Sequence, residues 1–82
     1  MQLTGFEDRI AFVTGAAGGI GHALVRQLLA AGSTVVASDV AAPAIDVPNE
    51  QANRLLPRAL DVRSGDAVTR LVQQIEADVG PI

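Results

Sequence analysis

The residues best suited to chemistry form a glycine-rich segment, T-G-A-A-G-G-I-G, at positions 14–21. This segment, the glycine loop, follows a short apolar run and opens a stretch of helical periodicity, which predicts a turn from a strand into a helix. The first amides of a helix have no acceptor within the helix, and with the helix dipole they attract anions. Glycines let an anion approach the backbone because they carry no side chain. The glycine loop therefore predicts a pyrophosphate site.

The glycine spacing fits two patterns. T-G-x-x-x-G-x-G uses Gly15, Gly19 and Gly21, whereas T-G-x-x-G-x-x-G uses Gly15, Gly18 and Gly21. Both differ from the G-x-G-x-x-G spacing of many dinucleotide sites. We expect Gly15 to make the tight exit from the strand, Gly19 to admit the pyrophosphate, and Gly21 to let the helix pack against the strand. An ordinary glycine turn without a ligand is the alternative.

Asp39 is expected at the carboxyl end of the next strand. A carboxylate there can accept hydrogen bonds from both ribose hydroxyls of an adenosine. It would repel a 2′-phosphate, and no Lys or Arg lies between Arg26 and Arg54 to neutralise one. The sequence therefore favours NAD over NADP as cofactor. A solvated turn residue is the alternative interpretation of Asp39.

Asp61 and Val62 are expected to end the third strand, at the adenine end of such a site. A carboxylate can accept from an exocyclic amino group, and a backbone amide can donate to a ring nitrogen. The same two residues could equally be ordinary strand-end residues. His22 is expected to point to solvent, and as the one histidine it cannot build a metal centre.

Strands that alternate with helices must position these residues, and this order predicts an α/β fold with a parallel sheet. Strands are expected over residues 9–14, 34–38 and 58–62. Residues 40–57 are expected to form a long loop, with one short helical turn near 50–55, since its prolines exclude a long helix.

Two longer helices are predicted between the strands. The first begins at Ile20 and ends before Gly32, and the second follows Ser64 as N-cap and stops at Gly80-Pro81. The spacing of apolar residues predicts a buried stripe on each helix. The stripes are Ile20, Ala23, Leu24, Gln27, Leu28 and Ala31 on the first, and Val68, Leu71, Val72, Ile75 and Val79 on the second.

The composition excludes several functional classes. Cysteine is absent, which removes disulfides and thiolate metal sites, and we expect no metal. The net charge of −3 and six scattered arginines provide no basic surface for nucleic acid or anionic lipid. No apolar run approaches the roughly 20 residues of a membrane span. No secretory signal is visible, so a cytoplasmic protein is expected.

The segments R-I-A-F-V-T-G-A-A-G-G-I-G-H-A, S-D-V, L-D-V and V-G-P-I together resemble the N-terminal third of a short-chain dehydrogenase/reductase. The G-I-G and L-D-V segments resemble the classical branch of this family more than the extended, epimerase-like branch. The resemblance implies a Rossmann-type, doubly wound parallel sheet. Residues 1–82 would form the N-terminal βαβ(α)βα portion of one larger three-layer α/β/α domain, with the catalytic part absent.

The resemblance also implies which residues hold the cofactor. The loop residues would line the phosphates, and the two strand-end pairs would hold the ribose and adenine. These residues are Gly15, Ala17, Gly18, Gly19, Ile20 and Gly21 for the phosphates, Asp39 and Val40 for the ribose and adenine, and Asp61 and Val62 for the adenine.

In the family, catalysis needs a serine, an asparagine and a Tyr-x-x-x-Lys pair, and this chain contains no tyrosine and no lysine. The resemblance therefore assigns no catalytic residue here and implies an NAD-dependent oxidoreductase, of which this chain is a part. A small-molecule substrate and a homo-oligomer, either dimer or tetramer, are expected. A non-catalytic NAD(H)-binding module or sensor, and a stand-alone domain, are the alternatives.

A weaker resemblance concerns the substrate. The short, proline-containing section 40–57 is similar to that of 2,3-dihydro-2,3-dihydroxybenzoate dehydrogenases of siderophore biosynthesis. Those enzymes oxidise a cyclic dihydrodiol to a catechol with NAD. The resemblance implies the same reaction for the protein to which this chain belongs.

Overall fold

The computed structural model describes residues 8–80, which form one parallel sheet with helices on both faces. The strands lie in the order β1-β2-β3, and both neighbouring pairs are parallel. The α/β class predicted from the sequence is therefore confirmed. The elements in chain order are β1 Ile10–Thr14, α1 Gly19–Ala30, β2 Thr34–Asp39, α2 Asn49–Ala52, β3 Leu55–Ala59 and α3 Gly65–Asp78.

Two apolar clusters, one on each face of the sheet, hold the helices. Val25 and Leu29 of α1 pack with Val35 on one face. Leu71 and Ile75 of α3 belong to the cluster on the opposite face, together with Val36. Neighbouring residues of a strand point to opposite faces, so Val35 and Val36 of β2 divide between the clusters. The result is the three-layer arrangement of a doubly wound sheet.

The predicted stripe of α1 is partly wrong. Leu28 is buried as expected, but Ile20 and Leu24 are exposed, and the buried residues beside Leu28 are Val25 and Leu29. Both sets have the three- and four-residue spacing of a helix face, so the periodicity alone could not choose between them. The backbone packing at the start of α1, described below, selects the second face.

The predicted bounds of β3 are wrong by three residues. The strand covers Leu55–Ala59 instead of 58–62, so Asp61 and Val62 lie in the loop that follows it. Pro57 was expected to lie in the preceding loop. In the part of the chain that the structure describes, β3 pairs with β2 alone, and an edge strand accepts a proline because one side of it forms no ladder.

The predicted limits of α3 are confirmed within the described residues. The Ser64 hydroxyl accepts a hydrogen bond from the Ala67 amide at 3.3 Å, as an N-cap does. The helix ends at Asp78, and Gly80 has a φ of +144°. Val79 was predicted to be buried but is exposed. Pro81, the other half of the predicted stop signal, lies outside the described residues.

The connection between β2 and β3 follows the prediction of a loop with one short helical turn, which is α2. Two arginines fasten it to α1. Arg26 donates to the Asp46 carbonyl oxygen at 2.6 Å, and Arg54 donates to the carbonyl oxygens of Leu29 and Ser33 at 2.8 and 2.7 Å. Cations are favourable near the C-terminus of a helix, so Arg54 stabilises the end of α1.

Candidate binding site at the carboxyl edge of the sheet

The glycine loop leaves β1 through a turn that needs glycine. Gly15 has a φ of +68°, in the left-handed region that other residues rarely adopt. The Gly18 amide donates to the Gly15 carbonyl oxygen at 3.1 Å and closes the turn. The Ala16 amide donates to the Ser38 carbonyl oxygen at 3.0 Å, and Ala16 is fully buried. The loop is thereby fixed to β2 as well as to β1.

Gly21 is where α1 meets this turn most closely. A Cβ added there would lie 3.0 Å from the Gly15 carbonyl carbon and 3.1 Å from the Ala16 Cα, and still closer to the Gly15 oxygen. These are backbone atoms that cannot rotate away. Gly21 therefore lets the helix pack closely against the turn that follows β1, whereas the sequence predicted packing against the strand itself.

The opposite side of the helix start is open. A Cβ added to Gly19 would meet nothing within 4 Å. The first helical hydrogen bond of α1 runs from the His22 amide to Gly18 at 2.8 Å, so the amides of residues 19–21 precede it. Gly18, as the N-cap, supplies no side-chain acceptor, and the first turn contains no acidic residue. These amides can therefore hold an anion.

Asp39 connects the glycine loop to the end of β2. Its Oδ2 accepts from the Ala17 amide at 3.0 Å, and its Oδ1 accepts from the Val40 amide at 2.7 Å. The carboxylate thus lies beside the loop where the sequence predicted it. The contact with Ala17 shows that it also holds the loop in place.

An open cavity of about 390 Å³ lies at this edge, and we call it the edge cavity. Its lining brings together residues from β1, β2 and the loop after β3, because parallel strands end at the same edge. The lining residues are Thr14, Gly15, Asp39, Val40, Leu60, Asp61, Val62 and Arg63. Of the predicted site residues, Gly15, Asp39, Val40, Asp61 and Val62 line this cavity, and Ala17, Gly18, Gly19, Ile20 and Gly21 lie outside it in the adjoining loop and helix start.

Asp61 forms an ion pair with Arg63 at the mouth of this cavity. The Arg63 Nε donates to Oδ1 at 3.0 Å, Nη2 donates to Oδ2 at 2.9 Å, and the Arg63 amide donates to Oδ1 at 3.0 Å. These hydrogen bonds lower the pKa of Asp61, the side-chain bonds more than the backbone one, and they raise the pKa of Arg63. Asp61 therefore stays ionised near neutral pH.

Large apolar side chains are exposed around the same edge. Ile20, Val40 and Val62 are 90%, 76% and 59% exposed, and they are three of the five large apolar residues most exposed within residues 8–80. Exposed apolar residues grouped at a cavity indicate a binding surface. All three are residues to which the family resemblance assigns a role in cofactor binding.

Sequence reasoning missed Arg63. No Lys or Arg lies between Arg26 and Arg54, close to Asp39 in the sequence. The arginine that lines the edge cavity, Arg63, comes instead from the loop after β3. The sequence does contain an indication of this pair, since Asp61 and Arg63 are oppositely charged and two residues apart in a loop. The spacing alone does not show that this loop lines the same cavity as the Asp39 carboxylate.

The described part of the chain offers neither a metal cluster nor a membrane helix. Among residues 8–80, no three His, Cys, Asp or Glu side chains come together as metal ligands. None of the helices in that range has the length and hydropathy to span a bilayer. The edge cavity presents carboxylates, one guanidinium and apolar side chains, and the adjoining start of α1 presents amides. Together these groups suit phosphate, hydroxyl, amino and ring groups.

Comparisons with known proteins give consistent relatives. A sequence model described as short chain dehydrogenase matches residues 9–82. The chain is 40% identical over 80 residues to cis-4-hydroxycyclohexanecarboxylate dehydrogenase of Sinomonas cyclohexanicum, covering 94% of this chain and 32% of that protein. It is 36% identical over 86 residues to 2,3-dihydro-2,3-dihydroxybenzoate dehydrogenase of Bacillus subtilis (strain 168), covering 100% and 33% respectively. The chain spans about a third of these two relatives.

Solved structures agree with the fold. Aldohexose dehydrogenase of Thermoplasma acidophilum superposes with a TM-score of 0.79 at 26% identity, over 94% of this chain and 28% of that one. A short chain dehydrogenase from Leptospira borgpetersenii serovar Hardjo-bovis (strain JB197) was solved with bound NAD+. It superposes with a TM-score of 0.75 at 25% identity, over 94% of this chain and 31% of that one. The predicted Rossmann-type sheet is therefore confirmed.

Proposed function

Because the chain belongs to the short-chain dehydrogenase family, whose sequence model matches residues 9–82, we propose that it forms the NAD-binding part of an oxidoreductase. The enzyme would transfer hydride between the cofactor and an alcohol or carbonyl substrate. The observation that carries this proposal is one juxtaposition. The open helix start and the Asp39 carboxylate lie at the same edge, joined by the Ala17 hydrogen bond of 3.0 Å.

In this proposal the glycine loop and the start of α1 hold the pyrophosphate through backbone amides. Asp39 and Val40 hold the adenosine ribose and one side of the adenine, while Asp61 and Val62 flank the rest of the ring. The exposed Val40 and Val62 side chains support this arrangement, because an adenine ring would cover them. The phosphate-facing residues are Gly15, Ala17, Gly18, Gly19, Ile20 and Gly21.

The proposed preference for NAD over NADP rests on charge. Asp39 would repel a 2′-phosphate, and the arginine lining the edge cavity is already held by Asp61 through two side-chain hydrogen bonds. Recruiting Arg63 to a 2′-phosphate would leave Asp61 without its partner. The cavity therefore favours free ribose hydroxyls.

The nicotinamide, when bound, supplies the hydride acceptor or donor. The residues of this chain bind and orient the other end of the cofactor, which fixes where the reactive ring can lie. Asp39 contributes to this in two ways, because it can accept from the ribose and it holds the Ala17 amide.

The proposed substrate is a hydroxylated six-membered ring that bears a carboxylate, with 2,3-dihydro-2,3-dihydroxybenzoate as the specific candidate. The names of two relatives, at 40% and 36% identity, both denote compounds of this kind. The test is NADH formation by the complete gene product with each of the two compounds. Formation with neither would contradict the substrate proposal, and NAD binding without hydride transfer from any alcohol to NAD would favour the sensor alternative.

Calorimetric titration of the complete gene product with NAD and NADP tests the cofactor proposal. We expect NAD to bind more tightly, and Asp39→Arg to weaken NAD at least tenfold, which is about 1.4 kcal/mol. Asp78→Arg is the control, because it changes the net charge equally but lies at the end of α3, near the opposite edge of the sheet. Failure of the unmodified protein to bind either cofactor would contradict the proposal.

A further inference from the structure

We propose that Arg63 is the positioning residue of the adenine end of the site, because it holds the Asp61 carboxylate in a fixed arrangement that leaves one acceptor for an exocyclic amino group. The inference rests on the proposed function and extends it to a residue that neither the glycine spacing nor the strand ends predict. Arg63 itself would act through Asp61.

The hydrogen bonds of Asp61 support this role. Its Oδ1 accepts two of them, from the Arg63 amide and Nε, both at 3.0 Å. Its Oδ2 accepts one, from Nη2 at 2.9 Å. A carboxylate offers about four lone-pair sites, two on each oxygen. Oδ1 is therefore fully used, and Oδ2 keeps one site for a further donor at the edge cavity.

The Asp61–Arg63 ion pair fixes the orientation of the Asp61 carboxylate but adds little to the stability of the fold. An exposed ion pair contributes little to folding, and the side chains of Arg63 and Asp61 are 87% and 45% exposed. This pair nevertheless has a defined geometry, because the planar guanidinium contacts both oxygens and the amide of the same residue fixes one of them. A residue that adds little stability but fixes a carboxylate at a cavity is suited to recognition.

The charges of the cavity point the same way. Asp39 and Asp61 both line it, and Arg63 is the cation among the lining residues. Two unpaired carboxylates would oppose the approach of a pyrophosphate. With the Asp61 charge paired to Arg63, Asp61 can accept from a base without adding to that repulsion.

The test compares two dinucleotides of equal charge, NAD and nicotinamide hypoxanthine dinucleotide, whose base carries an oxygen in place of the amino group. In the complete gene product we expect NAD to bind about tenfold more tightly, as for a charge-assisted hydrogen bond. Arg63→Gln should reduce this ratio to about threefold or less, and Asp61→Ala should reduce it similarly. The double variant should show no further fall, because the two residues act as one unit.

Two further variants keep the test decisive. Arg63→Lys preserves the charge but cannot contact both oxygens through a planar fork, so the ratio should fall as in Arg63→Gln. Arg9→Gln removes a charge just before β1, at the amino edge of the sheet and away from Asp61, and should leave the ratio unchanged. Equal weakening of both dinucleotides in Arg63→Gln, or full retention of the ratio in Arg63→Lys, would overturn the inference alone. Absence of binding by the unmodified protein would overturn the proposed function with it.

Discussion

The two ends of the proposed cofactor site, the glycine loop and the loop after β3, are built in different ways. At the glycine loop, backbone atoms define the surface, and Gly21 packs directly on Gly15 and Ala16. In the loop after β3, exposed side chains define it through the Asp61–Arg63 pair. The first end is fixed by steric contact and the second by charge. The proposed phosphate end is therefore packed against the core, whereas the proposed adenine end lies on the surface.

The variant Gly21→Ala tests the steric contact at the glycine loop most directly. The new Cβ would overlap backbone atoms of Gly15, and overpacking of this kind costs about 1–3 kcal/mol. We expect the free energy of unfolding of the complete gene product, measured by urea denaturation, to fall by that amount.

The matched control for this variant is Gly65→Ala, at the start of α3. A Cβ there meets nothing within 4 Å, and Ala is favoured over Gly in a helix by about 0.5–1 kcal/mol. Stability should stay the same or rise. An equal loss in both variants would show that the contact between Gly21 and Gly15 has no special weight.

Gly19→Val should have a smaller effect on folding and a specific effect on binding. The added side chain extends into open space, so stability should change by about 0.5 kcal/mol or less. It would occupy the space proposed for the pyrophosphate, so NAD affinity should fall at least tenfold, about 1.4 kcal/mol. Calorimetry and denaturation of the same preparation separate the two effects. Unchanged affinity would contradict the proposed phosphate position.

The same contrast explains how much the sequence could predict. The strand-to-helix turn at the glycine loop, the strand β2 and the Ser64 cap depend on local residue types, and the structure confirms all three elements. The bounds of β3 depend on its register with β2, which aligns Ala37 with Pro57, and local composition contains no information about that register.

Two features needed three-dimensional information of another kind. The buried face of α1 was set by the packing of Gly21 against the turn, which the helix periodicity could not distinguish from its alternative. The place of Arg63 depended on the relative position of two loops. The local backbone conformation could therefore be predicted from the sequence. The packing partners of a helix face and the position of a charged side chain relative to another loop could not.

The smallest effect that we predict concerns acid stability. Hydrogen bonds from the Arg63 side chain, and then from its amide, lower the pKa of Asp61 in the folded protein. A carboxyl with a lowered pKa stabilises the fold above its unfolded pKa, and this contribution is lost as the pH falls through the folded pKa. Arg63→Gln should therefore be slightly less stable than the unmodified protein at neutral pH, and the gap should close in acid.

Carboxyl NMR titration provides the direct measurement, because it follows the pKa of Asp61 itself. We expect the titration midpoint of Asp61 to rise in Arg63→Gln, since the bonds from the guanidinium are lost while the amide bond remains. Arg9→Gln, at the amino edge of the sheet, should leave that midpoint unchanged. If the midpoint stayed in place in Arg63→Gln, the pair would not form in solution, and the proposed adenine end of the site would be shaped by its backbone, as the glycine loop is.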